Sequence, residues 1–313
     1  MPRKSDVHGE LEDIRKTIIV AIASDDILME RLVLKGGNAL DLVYQWGERS
    51  SLDIDFSMEA DFSDQIELDA MKLRLFRALR DRFDSANLIV FDERLEDRPR
   101  TGGGPGQNTW GGYNATFKLI SKDQFFRLGG TLGVPPSEEV LNGIRRQAQI
   151  SSPSFQRSFL IEISKFEFTK NKVLRDVGSY NCYVYSPAMI AIEKFRAICQ
   201  QLPGYTLRSH PTPRPRDFYD IHTISTHAQI DLTGLENLVL VEGIFAAKEV
   251  PLSLLQEIDN SENRDFHEQQ WLSVVNSVRG RIPHEFNYYF DFVINEGLKI
   301  LTALEPGNHR PRG

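Results

Sequence analysis

Residues 32–40 read Leu-Val-Leu-Lys-Gly-Gly-Asn-Ala-Leu, and residues 49–56 read Arg-Ser-Ser-Leu-Asp-Ile-Asp-Phe. In the first segment a short apolar run stops at a glycine pair, a pattern that predicts a strand entering a tight turn. The apolar positions of residues 39–46 recur at spacings of three and four, which predicts a helix after the turn. The second segment predicts another strand, so a strand, a helix and a strand follow one another.

Two carboxylates stand on the second of these predicted strands. A strand repeats every two residues, so Asp53 and Asp55 share one face and three apolar residues occupy the other. Neighbouring carboxylates raise each other's pKa unless a cation neutralises them. Mg²⁺ does this in many proteins, held by one or two carboxylates together with substrate phosphates. The alternative is an edge strand with a solvated acidic face.

The glycine pair upstream favours the metal-site interpretation. Gly36 and Gly37 allow a ligand to approach the backbone closely, and the N–H groups that open the following helix provide a site for phosphate. A phosphate-binding turn beside a pair of metal-binding carboxylates is what phosphoryl transfer from a nucleoside triphosphate requires.

The composition limits the class of protein. The chain has 313 residues, with 41% hydrophobic and 26% charged residues, which excludes disordered, collagenous and disulfide-scaffold classes. The net charge of −7 excludes a uniformly basic surface but leaves room for a local basic patch. Cys182 and Cys199 form no metal-binding motif, and no early apolar stretch approaches the ~18 residues of a membrane span. We therefore expect a cytoplasmic protein without membrane contact.

The pattern of elements changes near residue 186. Before it we predict a helix over 66–84 and strands over 86–91, 113–120 and 159–164, with a polar segment over 135–158. Residues 100–112 are rich in glycine but lack a phosphate-loop context, so we interpret them as an inter-strand loop. After residue 186 we predict helices over 187–202, 216–228, 234–247, 262–278 and 284–303. The expected fold class is α+β, with a catalytic domain over 1–185 and a helical domain over 186–313.

The two opening segments resemble a known family. Lys35-Gly36-Gly37-Asn38-Ala39-Leu40, with residues 49–56, is similar to the KGGTAL…RxSxDIDF signature of the AbiEii/AbiGii-type nucleotidyltransferase toxins. These belong to the DNA polymerase β-like nucleotidyltransferase superfamily, which implies a small mixed sheet that carries the acidic strand. The chain departs from the signature at Asn38, where the family commonly has a hydroxyl residue. The resemblance implies phosphate-binding positions at Lys35, Gly36, Gly37, Asn38 and Ser51, with Arg49 as a possible addition.

The resemblance also implies a third carboxylate, and Glu162 on the predicted strand 159–164 is the best match. Alternation places it on the face of Leu160 and Ser164. It would complete the metal site of Asp53 and Asp55 or accept the proton of the attacking hydroxyl. An exposed position on an edge strand is the alternative.

A lysine and an aspartate are expected from the helical half. Ser186 and Pro187 predict a helix start, and the four helical neighbours of Lys194 are all apolar. Such a lysine extends along the apolar surface or carries its ammonium into a cleft toward phosphate. The resemblance favours the phosphate role and pairs it with Asp217 of the motif Arg-Asp-Phe-Tyr-Asp-Ile, with Asp220 as a weaker candidate.

The proline-rich segment 208–216 is basic within an acidic chain. It contains Arg208, Arg214 and Arg216, which could contact a polynucleotide or the triphosphate. An ordinary linker between helices explains the segment equally well. His222 and His227 lie five residues apart, a poor spacing for metal ligands, so we interpret them as packing or surface residues.

These observations lead to one main hypothesis. The chain would transfer a nucleoside monophosphate from an NTP to a hydroxyl and release pyrophosphate, with Mg²⁺, or Mn²⁺ in its place, held by Asp53, Asp55 and Glu162. The resemblance implies a toxin of a bacterial toxin–antitoxin or phage-defence pair, an RNA acceptor such as a tRNA 3′ end, and a separately encoded antitoxin. The alternatives are nucleotidylation of Ser, Thr or Tyr in a protein, and a nucleotide-binding protein without turnover.

Overall fold

The computed structural model describes residues 4–46, 53–98, 110–152, 154–208, 210–278 and 282–305. Arg49 and Ser51, together with most of the glycine-rich segment 100–112, lie outside the described residues. The N-terminal elements are α1 Lys4–Ala23, α2 Asp26–Arg31, β1 Val33–Lys35, α3 Gly36–Asn38 with a π-helical continuation Ala39–Val43, β2 Ile54–Ser57, α4 Gln65–Ser85, β3 Leu88–Arg98, β4 Gly112–Ser121, α5 Lys122–Arg127, α6 Glu138–Gln147, β5 Phe159–Ser164, β6 Val173–Val177 and β7 Tyr180–Val184. The C-terminal elements are α7 Pro187–Cys199, α8 Pro215–Ala228, α9 Leu235–Ala246, α10 Leu254–Glu257, α11 Ser261–Glu268, α12 Trp271–Val275 and α13 Phe286–Leu304.

The described strands form one mixed sheet in the order β3-β4-β5-β2-β1-β7-β6. Strands β1 and β2 are antiparallel, while β2 pairs with β5, and β1 with β7, in parallel. The parallel pairs need long connections, and the helices supply part of them. The acidic strand β2 is therefore an inner strand, and the expected α+β fold class is confirmed.

Helix α7 is buried on nearly all sides. The Ser186 hydroxyl accepts a hydrogen bond from the Met189 N–H at 3.2 Å, and Pro187 occupies the first turn, as the sequence predicts. The helix packs against α8 and α9. One continuous hydrophobic core includes residues of α1, the inner strands, α7 and α13. This packing fixes the helical half against the sheet.

Several elements of the structure differ from the sequence expectations. The polar segment over 135–158 contains α6, a helix with few apolar residues, of which Ile144 is buried. The hairpin of β6 and β7 turns through Gly178, at φ +63°, and was not expected. The single helix expected over 262–278 is two short helices, α11 and α12. None of the helices in the described ranges is both long and apolar enough for a membrane crossing.

Candidate active site

Strand pairing brings three charged residues into one row. The register sets Lys35 of β1 opposite Asp55 of β2, and Asp55 opposite Glu162 of β5. Residues paired directly across a sheet project from the same face. The opposite face carries the apolar partners of this row, such as Ile54 and Ile161, which are fully buried. Alternation along two strands thus separates the polar row from the core.

The glycine turn is shaped by the carboxylate beside it. Gly36 has φ +67°, a backbone conformation that favours glycine. A Cβ atom on Gly36 would lie 2.9 Å from Asp55 Oδ2. Any side chain at this position would therefore strain the backbone and displace the carboxylate. The first glycine of the Lys-Gly-Gly motif is required by the Asp55 side chain that it faces.

Asn38 contacts the acidic strand from within the protein. Its side chain is fully buried, and its Nδ2 donates to the Asp53 carbonyl oxygen. Its Oδ1 accepts from Arg15 at 3.4 Å. The asparagine side chain therefore fixes the backbone of Asp53. The directions of the N–H groups in the turn follow from the helical backbone of α3. Asn38 was expected to bind phosphate, and its side-chain atoms instead contact protein groups.

Burial disfavours the ionised forms of Asp55 in the row and of Asp53 just before β2. Burial raises the pKa of Asp55 to about 7, since the charge of Lys35 only partly offsets it and Glu162 adds to it. Burial and Glu162 also raise the pKa of Asp53. A divalent cation would favour the ionised form of both carboxylates. The oxygen donors present therefore suit Mg²⁺, the ion that binds one or two carboxylates with substrate phosphates.

The described residues contain no cluster of three His, Cys, Asp or Glu side chains placed to hold a metal ion. Glu162 is ion-paired with Arg98 at the end of β3, and Arg98 Nη2 also donates to the Ser164 hydroxyl at 3.4 Å. Asp55 lines the cleft, whereas Asp53 directly precedes β2, is exposed and is not among the cleft-lining residues. The contact with Arg98 uses Glu162 Oε2.

Lys194 lies between two carboxylates of helix α8. Its Nζ is 2.8 Å from Asp217 Oδ1 and 2.7 Å from Asp220 Oδ2. Arg214 forms an ion pair with the other oxygen of Asp217. Burial works against ionisation of Asp217, but Arg214 and Lys194 hold its pKa well below the usual range. The structure thus brings Lys194, Asp217 and Asp220 together, and it adds Arg214 to them.

Lys35 is held in a buried ionic cluster, which we call the Glu167 cluster: Lys35, Glu167, Glu193, Arg196 and Lys248. Lys35 Nζ lies 2.7 Å from Glu193 and 3.4 Å from Glu167. Burial alone would raise the pKa of Glu167, but Arg196, Lys35 and Lys248 hold it at about 2. Lys35 was expected to bind phosphate, and its ammonium is directed to helix α7 instead.

The polar row and the helical half line one cleft of about 760 Å³. Gly36, Asp55 and Glu162 contribute one wall from the sheet. Lys194 and Asp217 contribute to the other wall, together with arginines of the basic segment, Arg208, Arg214 and Arg216. Arg216 is exposed at the first turn of α8. The cleft therefore has an acidic row on the sheet and a basic wall opposite it.

Several site residues were not identified from the sequence. Glu193 directly precedes Lys194 and so had a local signal. Arg214 was named as part of the basic segment, but its ion pair with Asp217 was not expected. Arg98, Glu167 and Arg196 had no local signal, because their partners are distant in the chain. His222 packs against Tyr289 and Phe292 at ring distances of 5.2 and 4.9 Å, in agreement with a packing role.

The mixed sheet with its acidic inner strand, the glycine turn beside it and the helical half together line one cleft. The chain belongs to the AbiEii family, because the model described as "Nucleotidyl transferase AbiEii toxin, Type IV TA system" matches residues 17–295. Among solved structures it is similar to an antigenic nucleotidyltransferase-like protein from Paracoccidioides brasiliensis, at TM-score 0.37 and 14% identity over 76% of this chain and 93% of that one. The comparison with curated proteins gave no match.

Membership of the family makes the protein a nucleotidyltransferase of a toxin–antitoxin system. The family implies a nucleotide substrate, commonly a divalent metal, and an antitoxin partner. The resemblance deduced from the residues at 35–40 and 49–56 is thereby confirmed.

Proposed function

We propose that the protein transfers a nucleoside monophosphate from an NTP to a hydroxyl group of an RNA, with release of pyrophosphate and with Mg²⁺ as the metal. The observation that carries this proposal is the row of Asp55 and Glu162 beside the Gly36 turn, facing a basic wall across one cleft. An acidic row for a metal next to N–H groups and cations for phosphates is the arrangement that phosphoryl transfer needs.

Each residue has a separate role in this proposal. Asp53 and Asp55 hold the cation, and the backbone N–H groups at Gly36 and Gly37 hold phosphate oxygens. Mg²⁺ held there would supply Lewis-acid polarisation of the phosphate. Glu162 accepts the proton of the attacking hydroxyl or completes the metal site.

The helical half acts on the triphosphate. Lys194 lies on the cleft wall, and Asp217 and Asp220 hold its side chain in place. Its ammonium, with Arg214, compensates the negative charge that builds up on the leaving pyrophosphate. We place the boundary between the catalytic and helical domains at residues 185 and 186, which puts the cleft between them. Ser51 and Arg49 would add phosphate contacts from the segment outside the described residues.

The proposal is tested by following two labels. Total RNA and Mg²⁺ are incubated with each NTP, labelled on the α-phosphate in one series and on the γ-phosphate in another. The α-label should move to RNA, and the γ-label should appear in pyrophosphate. Appearance of α-label on protein would instead identify protein nucleotidylation. Binding of nucleotide without transfer of either label, unchanged in Asp53→Ala, would identify a non-catalytic protein and refute the proposal.

The acceptor is the second part of the proposal. We infer a tRNA 3′ end from what the family resemblance implies, and a basic cleft wall suits an RNA end. Separation of the labelled RNA by size identifies the acceptor. Label confined to RNAs other than tRNA would refute this part and leave the transfer reaction intact.

A further inference from the structure

One face of helix α7 runs along the cleft from its charged end to a neutral end. Glu193, Arg196, Ala197 and Gln200 line the cleft and follow the spacing of three and four that places residues on one helix face. At 1.5 Å per residue, Gln200 lies about 10 Å along the helix from Glu193. The cleft therefore offers charged groups near the glycine turn and a neutral amide roughly one nucleoside length away.

The Gln200 amide is buried without full hydrogen bonding. The residue is 4% exposed, and its Nε2 has no hydrogen-bond partner of normal geometry among the described residues. It lies beside the hydroxyl of Tyr205. The Tyr205 hydroxyl satisfies this amide only in part. A buried donor without a full hydrogen bond costs up to about 1–3 kcal/mol, so a ligand that accepts from it gains part of that free energy. A ligand without an acceptor would leave that cost in place.

An aromatic surface is fixed next to this amide. Trp110 lines the cleft, and its Nε1 donates to the Tyr205 hydroxyl at 3.0 Å. Tyr205 in turn donates to the Lys248 carbonyl at 2.9 Å, which fixes the wall. The indole is half-buried, so part of its surface is open to the cleft. The Lys248 ammonium lies 5.7 Å from the centre of the indole ring. A flat aromatic base suits the part of the ring that faces the cleft, because stacking needs no charge on the ligand.

We infer that Gln200 and Trp110 form a nucleobase subsite, in which Trp110 stacks on the base and Gln200 hydrogen-bonds to its edge and selects among bases. This inference rests on the proposed function and deepens it. The base belongs to the incoming NTP or to the terminal nucleotide of the acceptor. Amide side chains read base edges through directional hydrogen bonds, which distinguishes one base from another.

The neighbouring glutamine provides a matched control. Gln201 is as buried as Gln200, but its Nε2 donates to the Ala197 carbonyl and its Oε1 accepts from the Thr212 N–H, both at 2.8 Å. Both polar atoms of its amide are hydrogen-bonded to the protein backbone. Gln201→Met should therefore lower stability without changing the choice of base, whereas Gln200→Met should change that choice.

The experiment compares kcat/KM for the four NTPs in wild type, Gln200→Met and Gln201→Met. We expect Gln200→Met to reduce the ratio between the best and the poorest NTP about tenfold. Gln201→Met should keep that ratio within about twofold. If Gln200→Met changes instead the preference among RNAs that differ in the terminal base, the subsite holds the acceptor base. The inference is overturned if both preferences stay within twofold of wild type.

Nucleotide binding separates this inference from the proposed function. Binding of α,β-methylene analogues of the NTPs is followed by tryptophan fluorescence and compared with Trp110→Phe. Stacking on Trp110 should quench its emission, and Trp110→Phe should remove most of that change. Binding without any change at Trp110 contradicts the subsite only. Absence of both binding and transfer in wild type refutes the proposed function and, with it, the subsite.

Discussion

The Lys35 ammonium lies 2.7 Å from Glu193 Oε1, which joins the lysine of the glycine turn to the helix that carries Lys194. Glu193 also accepts from Arg196 at 3.2 Å. The two walls of the cleft are thus connected by a buried ion pair. The Lys-Gly-Gly motif has two structural tasks: the first glycine makes room for Asp55, and the lysine holds the helical half in position.

The first prediction concerns this ion pair. Glu193→Gln removes the negative charge that pairs with the buried cations Lys35 and Arg196. The free energy of unfolding should therefore fall by about 3 kcal/mol in urea titrations. Glu93→Gln is the control, because Glu93 pairs with Arg80 on the surface. It should cost at most about 1 kcal/mol. Equal losses for the two variants would show that the ion pair does not join the walls.

The second prediction separates the structural and chemical roles of Lys194. Lys194→Met leaves the carboxylates of Asp217 and Asp220 buried together, so both stability and transfer should fall. A second substitution, Asp220→Asn, removes one of the two buried negative charges and should recover about half of the lost stability. Transfer should stay lost, since the cation that faces the triphosphate is still missing. Recovery of transfer together with stability would make Lys194 a purely structural residue.

The third prediction concerns Asp55 and metal. Asp55→Asn removes a buried charge that burial disfavours, so in EDTA at pH 8 the variant should be at least as stable as wild type. Mg²⁺ should raise the melting temperature of the wild type and leave that of the variant unchanged. Glu59→Gln, at an exposed position after β2, is the control and should respond to Mg²⁺ like wild type. An equal response in Asp55→Asn would place the metal elsewhere.

The fourth prediction follows from a buried histidine. His267 is fully buried, and its Nδ1 accepts from the Arg214 N–H at 2.8 Å. Burial lowers its pKa from 6.5 to about 4. The unfolded chain therefore binds more protons than the folded protein between pH 6.5 and pH 4, and stability falls as the pH falls through this window. The loss should reach up to about 3 kcal/mol near pH 4.

His267→Asn tests this assignment, because an asparagine oxygen can replace the Nδ1 acceptor without titrating. Urea midpoints at pH 7.5 and pH 5 should differ less in the variant than in the wild type. His222→Asn should have a smaller effect, since burial also lowers the pKa of His222 but its side chain is only partly buried. An unchanged pH dependence in His267→Asn would contradict the assignment.

Local patterns predicted much of the fold. Alternation along β2 and β5 placed Asp55 and Glu162 on the polar face, and both do leave the core there. The glycine pair predicted the turn, and the serine and proline predicted the start of α7. These features depend on residues within one helix or strand, where spacing alone fixes the geometry. Helix α6 was not predicted, because few of its residues are apolar.

The contacts between distant segments could not be predicted in this way. Arg98 on β3 forms an ion pair with Glu162 on β5 across the strand between them, β4. The order of the strands in the sheet therefore determines this contact. Lys35 meets Glu193 because α7 is packed against the sheet, and no periodicity encodes that packing. The apolar neighbours of Lys194 in the sequence indicated a functional position, but they did not predict which residues its ammonium contacts. The ionic cluster around Glu167 became visible only in three dimensions.

The central claim is that the cleft adds a nucleoside monophosphate to an RNA hydroxyl. The most direct test of this claim measures the mass of a defined RNA after incubation with Mg²⁺ and the four NTPs. Two forms of the RNA are compared: one has an intact 3′ end, and the 3′ end of the other has been oxidised by periodate. We predict an increase by whole nucleotides for the intact RNA alone, and none with Asp55→Asn. An RNA whose mass never changes, while the protein or the NTP carries all of the α-phosphate, would contradict the claim.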